Sequence, residues 1–390
     1  MKPIPPDLSC PLRSPKTGVF SGTTNGTATL SFLDKPPRFD AVRFFKVKIG
    51  RHQVVHFPDS RYSRDTRSIF IEFNSYIGMK IMKILVTGGC GNMGPHIIHK
   101  LASLGHDVRV LDRDQQGLKP FSASGFETCC GDLADREWVR SAVNGTDAVI
   151  HLAWSFSDNL PDLLDTDVKG YQHLLDAAVE YGVSHVVNTT TAVSYGKPLS
   201  LPVVESQAHQ VELSRSPVYA LAKYMTEELG KIYAVQHGIC VNNFMVWYAY
   251  GDVIGGRNIR AMIRDAIEKG RIEVPARSGG SFLQLDDFVT CALAAFSSDI
   301  KGELFNVASL YLTWEEVAKL ITSLVNPDAR VIAVEPAEWK GSAFLTDDWP
   351  LSTRKAEEQL HFTTGLSRQE AINQLLAALK KSADKVRASL

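Results

Sequence analysis

The stretch Lys83-Ile84-Leu85-Val86-Thr87-Gly88-Gly89-Cys90-Gly91-Asn92-Met93-Gly94 decides how the chain is read. An apolar run rich in β-branched residues reads as a buried strand, and it stops at three closely spaced glycines. In residues 95–104, apolar side chains fall at Ile97, Ile98, Leu101 and Leu104, a spacing that predicts an amphipathic helix. Strand, glycine turn and helix in that order form the context of a dinucleotide-binding fingerprint. Glycines let the backbone turn tightly and approach a diphosphate without a Cβ in the way. The unpaired N–H groups and positive end of the helix then hold the negative charge. Gly89, Gly91 and Gly94 satisfy G-x-G-x-x-G, while Gly88, Gly91 and Gly94 give the alternative three-residue spacing. Glycine-rich turns also serve as plain tight connections, so the pattern needs support downstream.

A chain of 390 residues, 44% hydrophobic and 22% charged, can bury a large core and has room for two or three domains. A net charge of −1 gives no ground for expecting nucleic acid or an anionic membrane as a partner. Residues 1–78 stand apart, with 12 Lys or Arg against 6 Asp or Glu, so the remainder is net acidic. Up to Pro37 their composition is Pro, Ser, Thr and Gly, with few large apolar side chains to offset the entropy of ordering. Phe44–Ile49 and residues 69–73 are strand fragments without a regular pattern. The segment is expected to be dispensable, either a poorly ordered tail, an organelle-targeting segment, or sequence upstream of the true start. Cys10, Cys90, Cys129, Cys130, Cys240 and Cys291 show no paired spacing, which suits structural thiols in a reducing, cytoplasmic setting. No apolar run approaches the roughly 18–20 residues of a membrane span.

From Met82 the rhythm is strand and helix in alternation. After the first strand, residues 107–112, 127–130, 147–153, 185–188 and 239–246 read as strands, with helices over 135–143, 162–181 and from Pro217 to His237. Ser216-Pro217 opens the last helix, Ser as the cap and Pro where a missing N–H costs no hydrogen bond. The pattern predicts an α/β fold with a doubly wound parallel sheet. A dinucleotide-binding domain is expected over 79–250 and a smaller C-terminal substrate-binding portion over 251–390. Ligands bind beyond the carboxyl ends of such strands, at the switch point. Asp112 ends the second strand, eighteen residues beyond Gly94, where a carboxylate can accept hydrogen bonds from an adenosine ribose and favour NAD. It also suits a strand-end turn, and Arg113 could instead face the 2′-phosphate of NADP, the less favoured cofactor. After the third strand, Asp132-Leu133 offers a carboxylate and backbone at adenine height, or simply a turn or helix cap.

The fifth strand leads into Thr189-Thr190-Thr191, and the following helix carries Tyr219-Ala220-Leu221-Ala222-Lys223. Tyr and Lys four apart share one helix face. An ammonium near a phenol lowers its pKa from about 10 and makes it a usable general acid/base. The lysine can also hold ribose hydroxyls, and a nearby Ser or Thr hydroxyl can bond a substrate oxygen. Tyr76 and Lys80 share the spacing but precede the glycine loop without helical context, a coincidence. His96/His99 and His52/His56 have ligand-like spacing but no acidic or cysteine partners around them, so no metal is expected. Arg257, Arg260 and Arg264 fall on one face of a predicted helix. A solvated face is the simpler reading, a phosphate or carboxylate contact the other.

Residues 82–385 resemble an extended short-chain dehydrogenase/reductase of the NAD-dependent epimerase/dehydratase family. The resemblance is carried by Thr87-Gly88-Gly89-x-Gly91-x-x-Gly94, Asp132-Leu133, His151-Leu152-Ala153, Thr191 through Tyr195-Gly196, and Tyr219-x-x-x-Lys223. Later landmarks are Tyr250-Gly251, residues 282–287, Leu304-Phe305-Asn306-Val307 and residues 352–360. It implies a Rossmann fold in which Tyr219 is the acid/base, Lys223 lowers its pKa and binds the nicotinamide ribose, and Thr191 is the third catalytic member. The cofactor would lie against Gly88, Gly91, Asn92, Met93 and Gly94. Asp112, Asp132, Leu133, Leu152, Ala153 and Thr189 would complete its site with Tyr219 and Lys223. The implied reaction is hydride transfer at a secondary alcohol or ketone of a sugar-like small molecule, as net oxidation or reduction or as epimerisation, in a homodimer. A non-catalytic dinucleotide sensor on the same fold is the alternative, and the retained Thr191, Tyr219 and Lys223 argue against it. Departures concern the substrate. Met245 and Gly280 stand where sugar-nucleotide epimerases usually carry arginines, Tyr248 stands at an Asn and Asp167 at another. Arg277 lies close enough in sequence to substitute. Ala192-Val193 replaces the acidic pair of a dehydratase, which disfavours dehydration.

Overall fold

The computed structural model describes residues 80–157 and 159–390, together with the course of four strands nearer the N-terminus. These are β1 (Thr17–Phe20), β2 (Ala28–Phe32), β3 (Phe44–Ile49) and β4 (Gln53–Pro58), paired antiparallel in that order. The fragment expected at Phe44–Ile49 is β3. Residues 69–73, Tyr76 and the side chains of His52 and His56 lie outside the described residues. The chain divides into two units, Met1–Ile81 and Met82–Leu390.

The second unit is built on β5 (Lys83–Thr87), β6 (Asp107–Asp112), β7 (Glu127–Cys130), β8 (Ala148–His151), β9 (His185–Thr191) and β10 (Cys240–Val246). It continues with β11 (Tyr248–Tyr250), β12 (Arg271–Pro275), β13 (Gly279–Gln284) and β14 (Leu304–Asn306). Seven of these make one parallel sheet in the order β14-β10-β9-β8-β5-β6-β7, so the strand order reverses between β5 and β8. This is the doubly wound Rossmann arrangement. Both faces are covered, and the period of two along β5 divides its residues between them. Ile84 and Val86 enter one layer with Ile97, Ile98 and Leu101 of the Gly94–Ser103 helix and Phe288 and Val289 of the Leu285–Phe296 helix. Leu85 enters the other, with Val139 of the Arg136–Val143 helix and Leu174 and Leu175 of the Lys169–Glu180 helix. Each such side chain contributes about 1.5–3 kcal/mol by burial.

The chain beyond Gly251 shares in this sheet. β14 is its edge strand and the Leu285–Phe296 helix covers one face. The remainder forms smaller sheets. β15 (Leu310–Thr313) and β17 (Asp348–Trp349) pair with β13, β11 pairs with β13 on another side, and β12 pairs with β16 (Arg330–Val334). Helices Arg257–Glu268, Trp314–Val325 and Arg368–Arg387 enclose an aromatic-rich core around Trp314, Phe282 and Tyr250.

Several local expectations change. A helix at Gln115–Ala123 was not foreseen, because Gly117 and Pro120 read as breakers. Asp114 starts it by accepting from the Gln116 amide at 3.0 Å. The helix expected over 162–181 begins with a π-helical segment, Leu163–Val168. β9 continues through Thr191, paired with β10 to Val246, instead of ending at Asn188. Ser216 makes no side-chain cap bond on the Pro217–His237 helix; its own amide donates to Ser214 Oγ at 3.2 Å. Among the described residues no helix is long and apolar enough to cross a membrane.

The turn between β5 and its helix has no room for side chains at Gly94, where an added Cβ would lie 2.3 Å from the Gly89 carbonyl oxygen. Gly94→Ala is expected to cost roughly 1–3 kcal/mol of stability, read as a lowered urea midpoint with an unchanged m-value.

Candidate active site

The glycine loop lies at the switch point, at the carboxyl end of β5. Gly88 has φ +69°, and a Cβ there would come within 2.7 Å of the Ala153 backbone. The loop therefore rests directly on the chain leaving β8, where the amides of Leu152 and Ala153 both donate to Thr87 Oγ1 at 3.3 Å. Asp112 ties the end of β6 to the same loop, accepting from the Cys90 amide at 2.8 Å and the Asp114 amide at 3.0 Å. Gly91 differs from its neighbours. Among the described residues, its chain neighbours apart, only the Gly88 carbonyl oxygen lies within 4 Å of a Cβ built there, at 3.1 Å, so its other side is open. That opening, bordered by Asn92, Met93 and the N-terminus of the Gly94–Ser103 helix, is a cradle a side chain would fill, and it suits a diphosphate.

Asp132 accepts from the Ala134 amide at 3.0 Å, a turn, while the cap of the following helix is Asp135, which accepts from Trp138 at 3.1 Å. Leu133 is buried, and its carbonyl accepts from His173 Nδ1 at 3.0 Å. Arg113 is exposed, 3.9 Å from Asp132.

At the carboxyl end of β9 the structure brings Thr191, Tyr219 and Lys223 together. Thr191 acts on the Tyr219 phenol, drawing its pKa down, and accepts from the Val193 amide at 3.4 Å. Lys223, on the next turn of the Pro217–His237 helix, is buried; its Nζ donates to the Thr189 carbonyl at 2.9 Å and lies 3.8 Å from the centre of the Trp154 ring. Trp154 meets Tyr219 edge-on at 5.6 Å, and Phe156 stacks on Tyr219 at 6.2 Å.

Burial dominates the electrostatics of both Tyr219 and Lys223. It pushes the Tyr219 phenol above its ordinary value, opposed by Thr191 and the positive charge of Arg215. Lys223 is itself buried one turn further along the helix. Burial draws its own pKa down to about 7, against the pull of Asp167 and Glu227. Asp167 lies in the π-helical segment and accepts from the Ser155 amide at 2.8 Å and the Ser155 hydroxyl at 2.5 Å. Burial holds its carboxyl above the usual range.

Two contributors escaped the sequence reading. Arg215 precedes the helix and pairs with Asp347 at 3.3 Å; its guanidinium lies 4.7 Å from the centre of the Trp247 ring and 4.2 Å from that of Phe344. Its four-residue spacing from Tyr219 was the only local signal, since Asp347, Trp247 and Phe344 are more than thirty residues away. Glu227 is fully buried one helical turn after Lys223, accepts from Ser194 Oγ at 2.8 Å and from Thr190 Oγ1, and stands 3.2 Å from His209 Nε2. Its four-residue spacing from Lys223 was the available signal. Arg277, the candidate substitute, pairs with Glu335 at the exposed surface.

The buried lysine makes stability depend on pH. Its folded pKa, about 7, lies below the unfolded value of about 10.4, so between these values the unfolded chain holds the extra proton and stability rises with pH. Relative to Lys223→Met, the wild type is expected to gain on the order of 4 kcal/mol from pH 7 to pH 10, measured by paired urea melts.

The comparisons with known proteins agree with this architecture. Residues 84–308 match the NAD dependent epimerase/dehydratase family. UDP-glucuronic acid decarboxylase 1 of Arabidopsis thaliana is 26% identical over 317 residues, covering 77% of this chain and 70% of that protein. NAD-dependent glucose-6-phosphate dehydrogenase of Haloferax volcanii is 31% identical over 176 residues, 42% of this chain and 67% of that one. The crystal structure of the Bordetella bronchiseptica enzyme WbmG in complex with NAD superposes with a TM-score of 0.65 at 20% identity, covering 78% of this chain and 96% of that one. The match spans well over half of the sequence and includes the glycine loop, Thr191, Tyr219 and Lys223; the chain belongs to the NAD-dependent epimerase/dehydratase family.

Proposed function

We propose that this chain catalyses NAD-dependent hydride transfer at a secondary alcohol or ketone of a sugar-like small molecule, with Tyr219 as the acid/base. The observation that carries the reading is the placement of Tyr219 and Lys223 beside the end of β9, with Lys223 bonded to the Thr189 carbonyl, at the carboxyl edge of the same parallel sheet that presents the open glycine loop. Gly91 through Gly94 would hold the cofactor diphosphate, Asp112 the adenosine ribose, and Lys223 the nicotinamide ribose. Bound NAD would supply the acceptor for the hydride leaving the carbinol carbon. Thr191 would orient the substrate oxygen, and Tyr219 would take its proton during oxidation and return it during reduction. Arg215 favours the phenolate that the first step needs. Trp154 and Phe156 would limit water at the phenol. Ala192 and Val193, both buried, leave no carboxylate where a dehydratase would need one.

A homodimer is part of the proposal. Leu221, Ile232 and Val235 of the Pro217–His237 helix are exposed apolar side chains, and Val235 is 85% exposed. A second copy packed on that helix would cover them.

Two substitutions test the reading against a non-catalytic sensor. Tyr219→Phe is expected to lower kcat by at least about 10²-fold while leaving NAD affinity within about twofold of wild type, read by absorbance at 340 nm and by calorimetry. Equal turnover in the two proteins would end the assignment. Gly91→Ala is expected to keep the melting temperature but weaken NAD at least about tenfold, because its Cβ would enter the cradle.

A further inference from the structure

We infer that Arg257, Arg260 and Arg264 form a binding site for an anionic group, a phosphate or carboxylate, borne by the substrate; the inference rests on the reading above. The three sit at spacings of three and four on the Arg257–Glu268 helix and so share one face. Together with Asn258, Ser342 and Ala343 they line a cavity of about 590 Å³, within the range of small-molecule sites.

Their charges are unpartnered. Among the described residues no hydrogen bond or ion pair reaches any of the three guanidiniums. Nearby basic residues do find carboxylates: Lys269 pairs with Asp265 at 2.8 Å, Arg271 with Glu273 at 3.1 Å and Lys319 with Glu315 at 2.6 Å. Like charges three and four apart on a helix each cost a few tenths of a kcal/mol. Three guanidiniums facing one acid-free cavity therefore work against the fold, and an anion accepting bidentate hydrogen bonds removes that cost.

The cavity also adjoins the catalytic elements. Just before the helix, Gly255 lies against Asn92 of the glycine loop, and its carbonyl accepts from Tyr248 Oη at 2.6 Å. Arg260 acts electrostatically on Tyr248, and Tyr248 packs on Phe344 with ring centres 5.9 Å apart. Phe344 directly follows the cavity-lining Ser342 and Ala343, and its ring carries Arg215, whose charge reaches Tyr219. A substrate with its carbinol at Tyr219 would thus carry its anionic end toward the arginines. The three arginines are exposed, as the sequence reading expected, and they border an open recess.

The test is calorimetry on the NAD-loaded full chain at low salt, with glucose 6-phosphate, glucuronate, inorganic phosphate and neutral glucose as probes. At least one anionic probe is expected to bind about tenfold or more tightly than glucose. Tighter glucose 6-phosphate identifies a phosphate ester, and tighter glucuronate a sugar acid. Arg260→Ala/Arg264→Ala is expected to weaken the preferred probe at least about tenfold, with NAD affinity unchanged, and the Lys/Lys double variant to recover part of the loss. Equal affinity of the double alanine variant, or no anion binding up to about 10 mM, overturns the inference. Anion affinity unchanged by the arginine substitutions, alongside Tyr219-dependent turnover, would overturn this site alone. Arginine-dependent anion binding with turnover indifferent to Tyr219→Phe would overturn the catalytic reading alone.

Discussion

Backbone pressed on backbone at the glycine loop is the constraint on which the rest of the site depends. A Cβ at Gly94 would strike the Gly89 carbonyl and one at Gly88 would strike Ala153. Hydrogen is therefore the largest substituent that lets the Gly94–Ser103 helix start beside the chain leaving β8. Asp112 reinforces the approach by accepting from Cys90 within the loop. The same closeness extends to the Gln115–Ala123 helix, where a Cβ on Gly117 would lie 2.9 Å from Cys90 Sγ. The crevice is walled by main chain, and its donors are held by the fold instead of by side-chain rotamers.

Burial then governs the chemistry at the other end. It raises the phenol of Tyr219 and lowers the ammonium of Lys223, so both groups lean toward their neutral forms. A phenol that must give up a proton needs a cation that burial does not neutralise. Arg215 fits, because even between two aromatic rings its pKa falls only to about 10. Lys223, near 7, instead bonds the Thr189 carbonyl. The positive charge acting on the phenol is thus that of Arg215, while Lys223 is held by a backbone carbonyl.

What the sequence made legible follows from range. The strand at Asp107–Asp112 was readable to the residue, because the apolar pattern of a doubly buried strand is local, and the edge strand Glu127–Cys130 was bounded as expected too. The Pro217–His237 helix was bounded correctly by Pro at its start and Gly238 in the left-handed region after its end. The Gln115–Ala123 helix was invisible because Gly117 is required by a neighbouring loop and Pro120 is tolerated within it. The aromatic rings and Asp347 around Arg215, and Ser342 and Ala343 opposite Arg260, come from segments far along the chain, and no spacing rule reports on them.

Gly280 shows how one replacement organises others. A Cβ there would lie 1.8 Å from Nε1 of Trp247, so no arginine can stand at this position while the indole keeps its place. Trp247 in turn stacks on Phe344 at 4.7 Å with the rings 10° from parallel, and the pair holds Arg215. Met245, at the other position, is fully buried. The aromatic pair carries the Arg215 charge toward the Tyr219 phenol. Specificity is a difference between partners. A diphosphate depending on arginines at 245 and 280 would meet sulfur and indole, whereas an anion reaching the Arg257–Glu268 helix would meet three free guanidiniums.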